Sequence, residues 1–128
     1  MIFLFDLDDT LIDTSVYAKI YPLIVKKVCS YLDIDEKELF VKAASLGMKK
    51  NKHGNYDSGE LCKKLDLLDL YYPILEEEIK VNDVLFSEVK EVFSTLISRD
   101  NKIGIVSNSM LRTIKLYLDK YSLSVDFI

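Results

Sequence analysis

Cysteine, histidine and arginine are scarce in this chain, and each scarcity closes off a class of chemistry. Only two cysteines occur, Cys29 and Cys62, too far apart to form a CxxC unit. Both lie among apolar neighbours at helical spacing, which reads as small buried thiols rather than a disulfide or a metal site. The lone histidine, His53, cannot by itself build a metal cluster or a Ser-His-Asp triad. Two of the 17 cationic residues are arginines, Arg99 and Arg112, and the net charge is −4. Phosphate backbones select basic surfaces, so nucleic acid is not expected as the main partner. Long apolar runs are also missing: nothing approaches the roughly 20 residues of a membrane span. The opening MIFLF is short and runs straight into acids, unlike a signal peptide. A soluble, cytoplasmic protein with no membrane partner is the expectation. Low-complexity tracts and internal repeats are absent too.

What remains is globular composition, 49% hydrophobic and 30% charged over 128 residues, the size of one domain or one and a fraction. IFLFD at 2–6 is a continuous apolar run ending in carboxylates, the pattern of a strand buried in a parallel sheet. The acids and Thr10 that follow read as a turn, and Asp13, Thr14 and Ser15 offer oxygens to cap a helix. From about 14 to 82 the pattern is helical with short breaks. Val16, Ile20, Leu23, Ile24 and Val28 keep a 3–4 spacing, with Pro22 tolerable only in an early turn. Asp35 with Glu38, and Asp57 with Glu60, form two capping-box patterns; Gly47 falls near the end of the first of these helices. Pro73 is expected to kink or restart the chain, making EEEIK a separate helical turn.

The last third changes rhythm. Ser87 is placed to cap a helix whose Val89, Val92, Phe93, Leu96 and Ile97 share one side. The turn RDNK leads to a second buried-strand pattern, IGIVS at 103–107. A further helix carries Leu111, Ile114, Leu118 and Tyr121 in step, and VDFI reads as the start of a third strand. Strand, helices, helix, strand, helix, strand is the rhythm of an α/β fold with a parallel sheet. The roughly 70 helical residues after the first strand exceed a simple crossover and read as an inserted module.

In open parallel sheets, sites form at the carboxyl ends of strands. Two ends here carry reactive groups: Asp6-Leu7-Asp8-Asp9-Thr10 and Ser107-Asn108. A strand ending in D-x-D-x-T, followed by Leu11, resembles the first motif of the haloacid-dehalogenase-like superfamily. A later buried strand ending in serine resembles its second. The helical stretch between is similar to the helical cap that one subclass inserts there. The resemblance implies a Rossmann-like core from residues 1–14 and 83–128, incomplete here, and a cap from 15–82. It also implies a Mg²⁺-dependent phosphohydrolase of a small phosphorylated metabolite, working through an aspartyl-phosphate. In that scheme Asp6 is the nucleophile, and Asp8 is the general acid and then the base. Asp6 and the Asp8 carbonyl are the Mg²⁺ ligands. Ser107 and the backbone N–H groups of Leu7 and Asn108 bind phosphate, and Thr10 supports the turn. The name-giving dehalogenases lack an acid at the position of Asp8, so a phosphatase or a phosphotransferase (mutase) is implied instead.

Each residue also has a plain structural role available. Asp6, Asp8 and Asp9 could cap or fill a turn, and Asp9 reads as a surface turn residue. Ser107, Asn108 and Ser109 could start a helix. The basic stretch Lys49–Tyr56 reads as a solvated loop in preference to its alternative, a cap loop that recognises an anionic substrate. The family's third-motif lysine and fourth-motif acids follow the third strand. Lys102, Lys115 and Lys120 lie before that point, and none is carried over. The expectation is therefore an N-terminal portion of a longer enzyme, with its first strand an exposed apolar edge open to self-association or a partner chain. The alternatives are completion by another chain, or a non-catalytic phosphate-binding or interaction module.

Overall fold

The computed structural model describes residues 1–128. In chain order the elements are β1 (Ile2–Phe5), α1 (Ser15–Leu32), α2 (Glu36–Ser45), α3 (Ser58–Lys64), α4 (Leu68–Val81), α5 (Val89–Ser98), β2 (Lys102–Ile105) and α6 (Leu111–Lys120). Helices around a small parallel sheet make this an α/β protein. It divides into two compact units, one of Met1–Thr14 with Val84–Ile128 and one of Ser15–Asp83.

In the first unit β1 and β2 pair in parallel, with Ile2 against Lys102 and Phe5 against Ile105. The ladder ends with the Val106 N–H donating to the Phe5 carbonyl at 2.9 Å. On the far side of β2, Phe127 bridges Gly104 in parallel, and the Ile105 N–H reaches the Phe127 carbonyl at 3.0 Å. The closing VDFI therefore does lie alongside β2, as one bridge rather than a full strand. Gly104 matters here: a Cβ would stand 2.8 Å from Leu4 Cδ2 and 3.4 Å from Phe127 Cβ. β1 is left as an edge, and Ile2 and Leu4 on it are 57% and 63% exposed. The core lies between helices and sheet: Phe93 of α5 meets Phe5 at 5.2 Å, and Ile103, Ile105, Ile114 and Tyr117 are buried. The chain leaves this unit and returns to it at one place. There Ile12 and Leu85 form an antiparallel bridge, and the Asp13 N–H donates to the Val84 carbonyl at 2.7 Å.

The second unit is all helix. Val16, Ile20, Ile24 and Val28 form one buried stripe of α1, spaced by four residues, and α1 packs against α4, whose buried residues include Tyr72, Leu75 and Ile79. Both capping boxes form on the acceptor side: Asp35 accepts the Glu38 N–H and Asp57 the Glu60 N–H, each at 2.8 Å. Gly47 follows α2 with φ +79, the left-handed conformation that ends helices. Elsewhere aspartates take that role: Asp33, Asp66 and Asp100 follow α1, α3 and α5 with φ of 53, 58 and 59. Aspartate tolerates this region better than most side chains do.

Three expectations are corrected. Pro73 does not split its helix; α4 runs unbroken from Leu68 to Val81. Pro22 likewise lies well inside α1 rather than in an early turn. Proline removes one N–H and crowds the preceding turn, and the buried faces of α1 and α4 outweigh that local penalty. Ser87 is not the cap of α5, which starts at Val89 behind Glu88 with no side-chain cap bond. The apolar stripes also shift: Val92, Ile97 and Leu111 are exposed, while Thr113 and Tyr117 complete the buried face of α6.

Two outcomes follow for the helical unit. An interior proline costs about 3 kcal/mol relative to alanine, partly offset through the unfolded chain. Pro73→Ala should therefore raise the urea-unfolding free energy by about 1–2 kcal/mol; a decrease would mean that ring packing matters more than the lost bond. Burial first, and the Asp57 carboxylate second, push the Cys62 thiol up to about 12. At pH 8 a thiol reagent should modify Cys62 only as fast as the protein unfolds. Modification of Cys62 at the rate of a free thiol would contradict this.

Candidate active site

The site begins where β1 stops. After Phe5 the chain turns within one tight loop organised by a single acceptor, the Leu7 carbonyl. It takes the N–H groups of Leu11 at 2.9 Å and Ile12 at 3.0 Å, with that of Thr10 more distant at 3.4 Å. Leu7 itself is buried, anchoring the loop from below. Asp9 sits at the apex with φ +58, and its N–H donates to the Ile12 carbonyl at 2.7 Å. Its Oδ1 accepts the Thr14 hydroxyl at 2.7 Å and the Thr14 N–H at 3.2 Å. The side-chain lock on this turn is thus Asp9 with Thr14. Thr10, expected to support the turn, contributes its backbone N–H and is otherwise exposed.

The three acids consequently point to different tasks. Asp6, at the strand end, is exposed, and its Oδ1 accepts the Leu7 N–H at 2.8 Å. The Leu7 N–H, expected to serve a phosphate oxygen, is engaged by its own neighbour here. Asp8 is half-buried, with Oδ1 shielded from solvent. Its Oδ2 accepts the Ser109 hydroxyl at 3.1 Å.

The other wall comes from the end of β2. Ser107 is half-buried two residues beyond the strand, Asn108 is exposed, and the Ser107 Oγ accepts the Ser109 N–H at 3.1 Å. The residues from 6 to 10 and from 107 to 109 thus meet at the carboxyl ends of adjacent parallel strands, and a hydrogen bond spanning 101 positions joins them. Ser109 is the functional-site neighbour that sequence reading passes over as a helix start. α6 begins only at Leu111, behind Met110 with no side-chain cap bond, so Ser109 is not its cap. The S-x-S spacing at 107–109 is the one local hint.

The oxygen donors at this corner, two carboxylates and nearby backbone carbonyls, are hard ligands of the type Mg²⁺ prefers. They are few: no group of three His, Cys, Asp or Glu side chains placed to hold a metal ion forms. A cavity of about 360 Å³ lies beside the turn, lined by Phe5, Leu11, Phe86 and Phe93 together with the polar Asp9, Thr10 and Glu88. Asp6, Asp8 and Ser107 are not part of its lining. No helix is long and apolar enough to cross a membrane.

The family described as haloacid dehalogenase-like hydrolase matches residues 1–127, nearly the whole chain. The chain belongs to that hydrolase family. A comparison with curated proteins gives no match.

The turn offers its own test. Asp9→Asn keeps both the tolerance for positive φ and an acceptor for Thr14, and should shift unfolding free energy by less than about 0.5 kcal/mol. Asp9→Ala loses the bonds and strains the backbone, and should cost about 2 kcal/mol in urea unfolding. Equal effects of the two variants would show that the Asp9–Thr14 lock does not hold the turn.

Proposed function

We propose that this protein is a phosphohydrolase of small phosphate monoesters, with Asp6 as nucleophile and Asp8 as acid and base. The observation that carries the reading is the meeting of the two motifs: Asp8 and Ser109 are in contact at 3.1 Å, where β1 and β2 end side by side. Membership of the hydrolase family supports it. An oxygen of the Asp6 carboxylate attacks phosphorus, and the bond from phosphorus to the leaving oxygen breaks. That oxygen takes the proton of Asp8. Water then attacks the aspartyl-phosphate and gives a proton to Asp8. The bond from Asp6 to phosphorus breaks, releasing orthophosphate and restoring both carboxyl groups. Splitting one displacement into two lets the same carboxyl act twice. Ser107 and the N–H groups of Leu7 and Asn108 hold the phosphate oxygens in this reading, and Thr10 belongs to the supporting turn.

Mg²⁺ belongs to the proposal, with Asp6 and the Asp8 backbone carbonyl as its ligands. When bound it would neutralise the carboxylate charge that otherwise repels a phosphate dianion. The helical unit Ser15–Asp83 is proposed as the inserted cap and the β1–β2 unit as part of a Rossmann-like core. Transfer to an acceptor other than water is the same chemistry with a different second step. A second reading is a non-catalytic phosphate-binding module, in which the same hydroxyl and N–H groups would hold phosphate without turnover.

Turnover of a small panel of phosphate monoesters with added Mg²⁺ separates the readings. The expected outcome is orthophosphate release that EDTA abolishes and that Asp6→Asn lowers by at least about 10³-fold, as loss of a covalent nucleophile requires. Phosphate binding without turnover in wild type would favour the binding module. Equal turnover in wild type and Asp6→Asn would remove Asp6 as nucleophile.

A further inference from the structure

Ser109 stands out among the residues that the proposed chemistry does not use. Its backbone N–H donates to Ser107 Oγ at 3.1 Å and its hydroxyl donates to Asp8 Oδ2 at 3.1 Å. One residue thereby ties the proposed phosphate ligand to the proposed acid/base, using a different group for each. Ser109 is half-buried and lies in the bend between β2 and α6, outside both elements. Its hydroxyl is free of capping duty, since α6 starts two residues later. The backbone of Asp8 is already held, through its bridge to Ile12 and the Leu7-centred turn. What the backbone cannot hold is the carboxyl plane, because the terminal torsion of an aspartate is broad and soft. A fixed donor to one oxygen removes that freedom.

We infer that Ser109 is a positioning residue of Asp8: its hydroxyl helps to set the carboxyl plane in which Asp8 exchanges a proton with the leaving group. The inference rests on the reading of Asp8 as acid and base. Its consequence is selective. A leaving group that departs without help, such as 4-nitrophenolate, has little need of a well-aimed acid. A poorer one, such as phenolate, depends on it. The parameter kcat/KM covers every step up to departure of that group, so it isolates the acid step from later hydrolysis. A serine that touched the phosphate instead would weaken both substrates alike and loosen phosphate binding.

The experiment compares full-length wild type, Ser109→Ala, Ser109→Thr, Asp6→Asn and Asp8→Asn, with Mg²⁺, on phenyl phosphate and 4-nitrophenyl phosphate. Positioning is a fraction of the roughly 10²–10⁴-fold worth of a general acid. Ser109→Ala should therefore lower kcat/KM for phenyl phosphate about tenfold more than for 4-nitrophenyl phosphate. Inhibition by inorganic phosphate should stay within about twofold of wild type, and Ser109→Thr, which keeps a hydroxyl, should recover most of the loss. Should Ser109→Ala fail to fold by circular dichroism, Ser109→Cys keeps the size with a weaker donor, and the same leaving-group selectivity is expected of it. Equal losses on both substrates, or weakened phosphate inhibition, would overturn the inference and make Ser109 a phosphate ligand. No loss in either variant would overturn it outright. Asp8→Asn is the reference for full loss of the acid and should show the same selectivity, larger. Should Asp6→Asn match wild type, the reading of the site itself fails and this inference falls with it, an outcome visible without any Ser109 variant.

Discussion

The register of β1 against β2 is the constraint on which the site depends. Phe5 faces Ile105, so the two strands end level and the chain beyond each turns at the same height. Nothing local brings Asp8 within 3.1 Å of Ser109; only this pairing, closed by the Val106 N–H on the Phe5 carbonyl, does so. A slip of one residue would invert every side chain beyond Phe5 and separate the two motifs. The register is held from both sides of β2, by β1 and by Phe127 over Gly104, and from within by Ile103 and Ile105, both buried. Gly104 is the tightest point of this pairing, since a Cβ there would stand 2.8 Å from Leu4 Cδ2 and displace that side chain, while meeting Phe127 at ordinary contact distance.

Given that register, one backbone turn separates three nearly adjacent acids into three environments. Asp6 stays at the exposed strand end, Asp8 turns inward to Ser109, and Asp9 takes positive φ and is used in locking the loop to Thr14. Identical side chains thereby acquire different chemistry without any distant charge being needed. The cluster of N–H groups on the Leu7 carbonyl makes this possible, because it forces the chain to reverse within a few residues. The same economy shows at helix ends, where Asp33, Asp66 and Asp100 adopt a conformation that most chains give to glycine.

How much of this could be read from the amino-acid order depends on the distance over which each signal acts. The capping pairs Asp35–Glu38 and Asp57–Glu60 are contained within four residues, and in both the aspartate accepts the N–H that the spacing indicates. The two apolar runs become the two strands, though β2 ends at Ile105, before the full 103–107 pattern. Pro22 and Pro73 mislead because their local penalty is visible in sequence while the packing of α1 on α4 that overrides it is not. Ser87 misleads in the opposite way, offering a cap to a helix that starts one residue too late to use it. At the site, the D-x-D-x-T and Ser107 patterns are legible because each sits at a strand end. The bond from Ser109 to Asp8 is not legible, since no rule of local spacing reaches across 101 positions.

At the end of β1 the Asp6 carboxylate accepts the N–H of Leu7. The carboxylate proposed as nucleophile and the N–H proposed as phosphate donor satisfy each other at 2.8 Å. If Asp6 is the nucleophile proposed above, a substrate has to compete for that N–H before Asp6 turns to attack. The exchange replaces one charge-assisted hydrogen bond, worth about 1.5–3 kcal/mol, by another to a phosphate oxygen of higher charge density. In the proposed reaction the exchange would therefore be close to neutral in energy and would free Asp6 Oδ1. Without phosphate, the same bond keeps an exposed carboxylate held at the strand end rather than loose in solvent. In the proposed reaction Asp6 and Leu7 would thus form a resting arrangement that phosphate binding undoes, in a loop whose remaining bonds, from Leu11 and Ile12 to the Leu7 carbonyl, need not move.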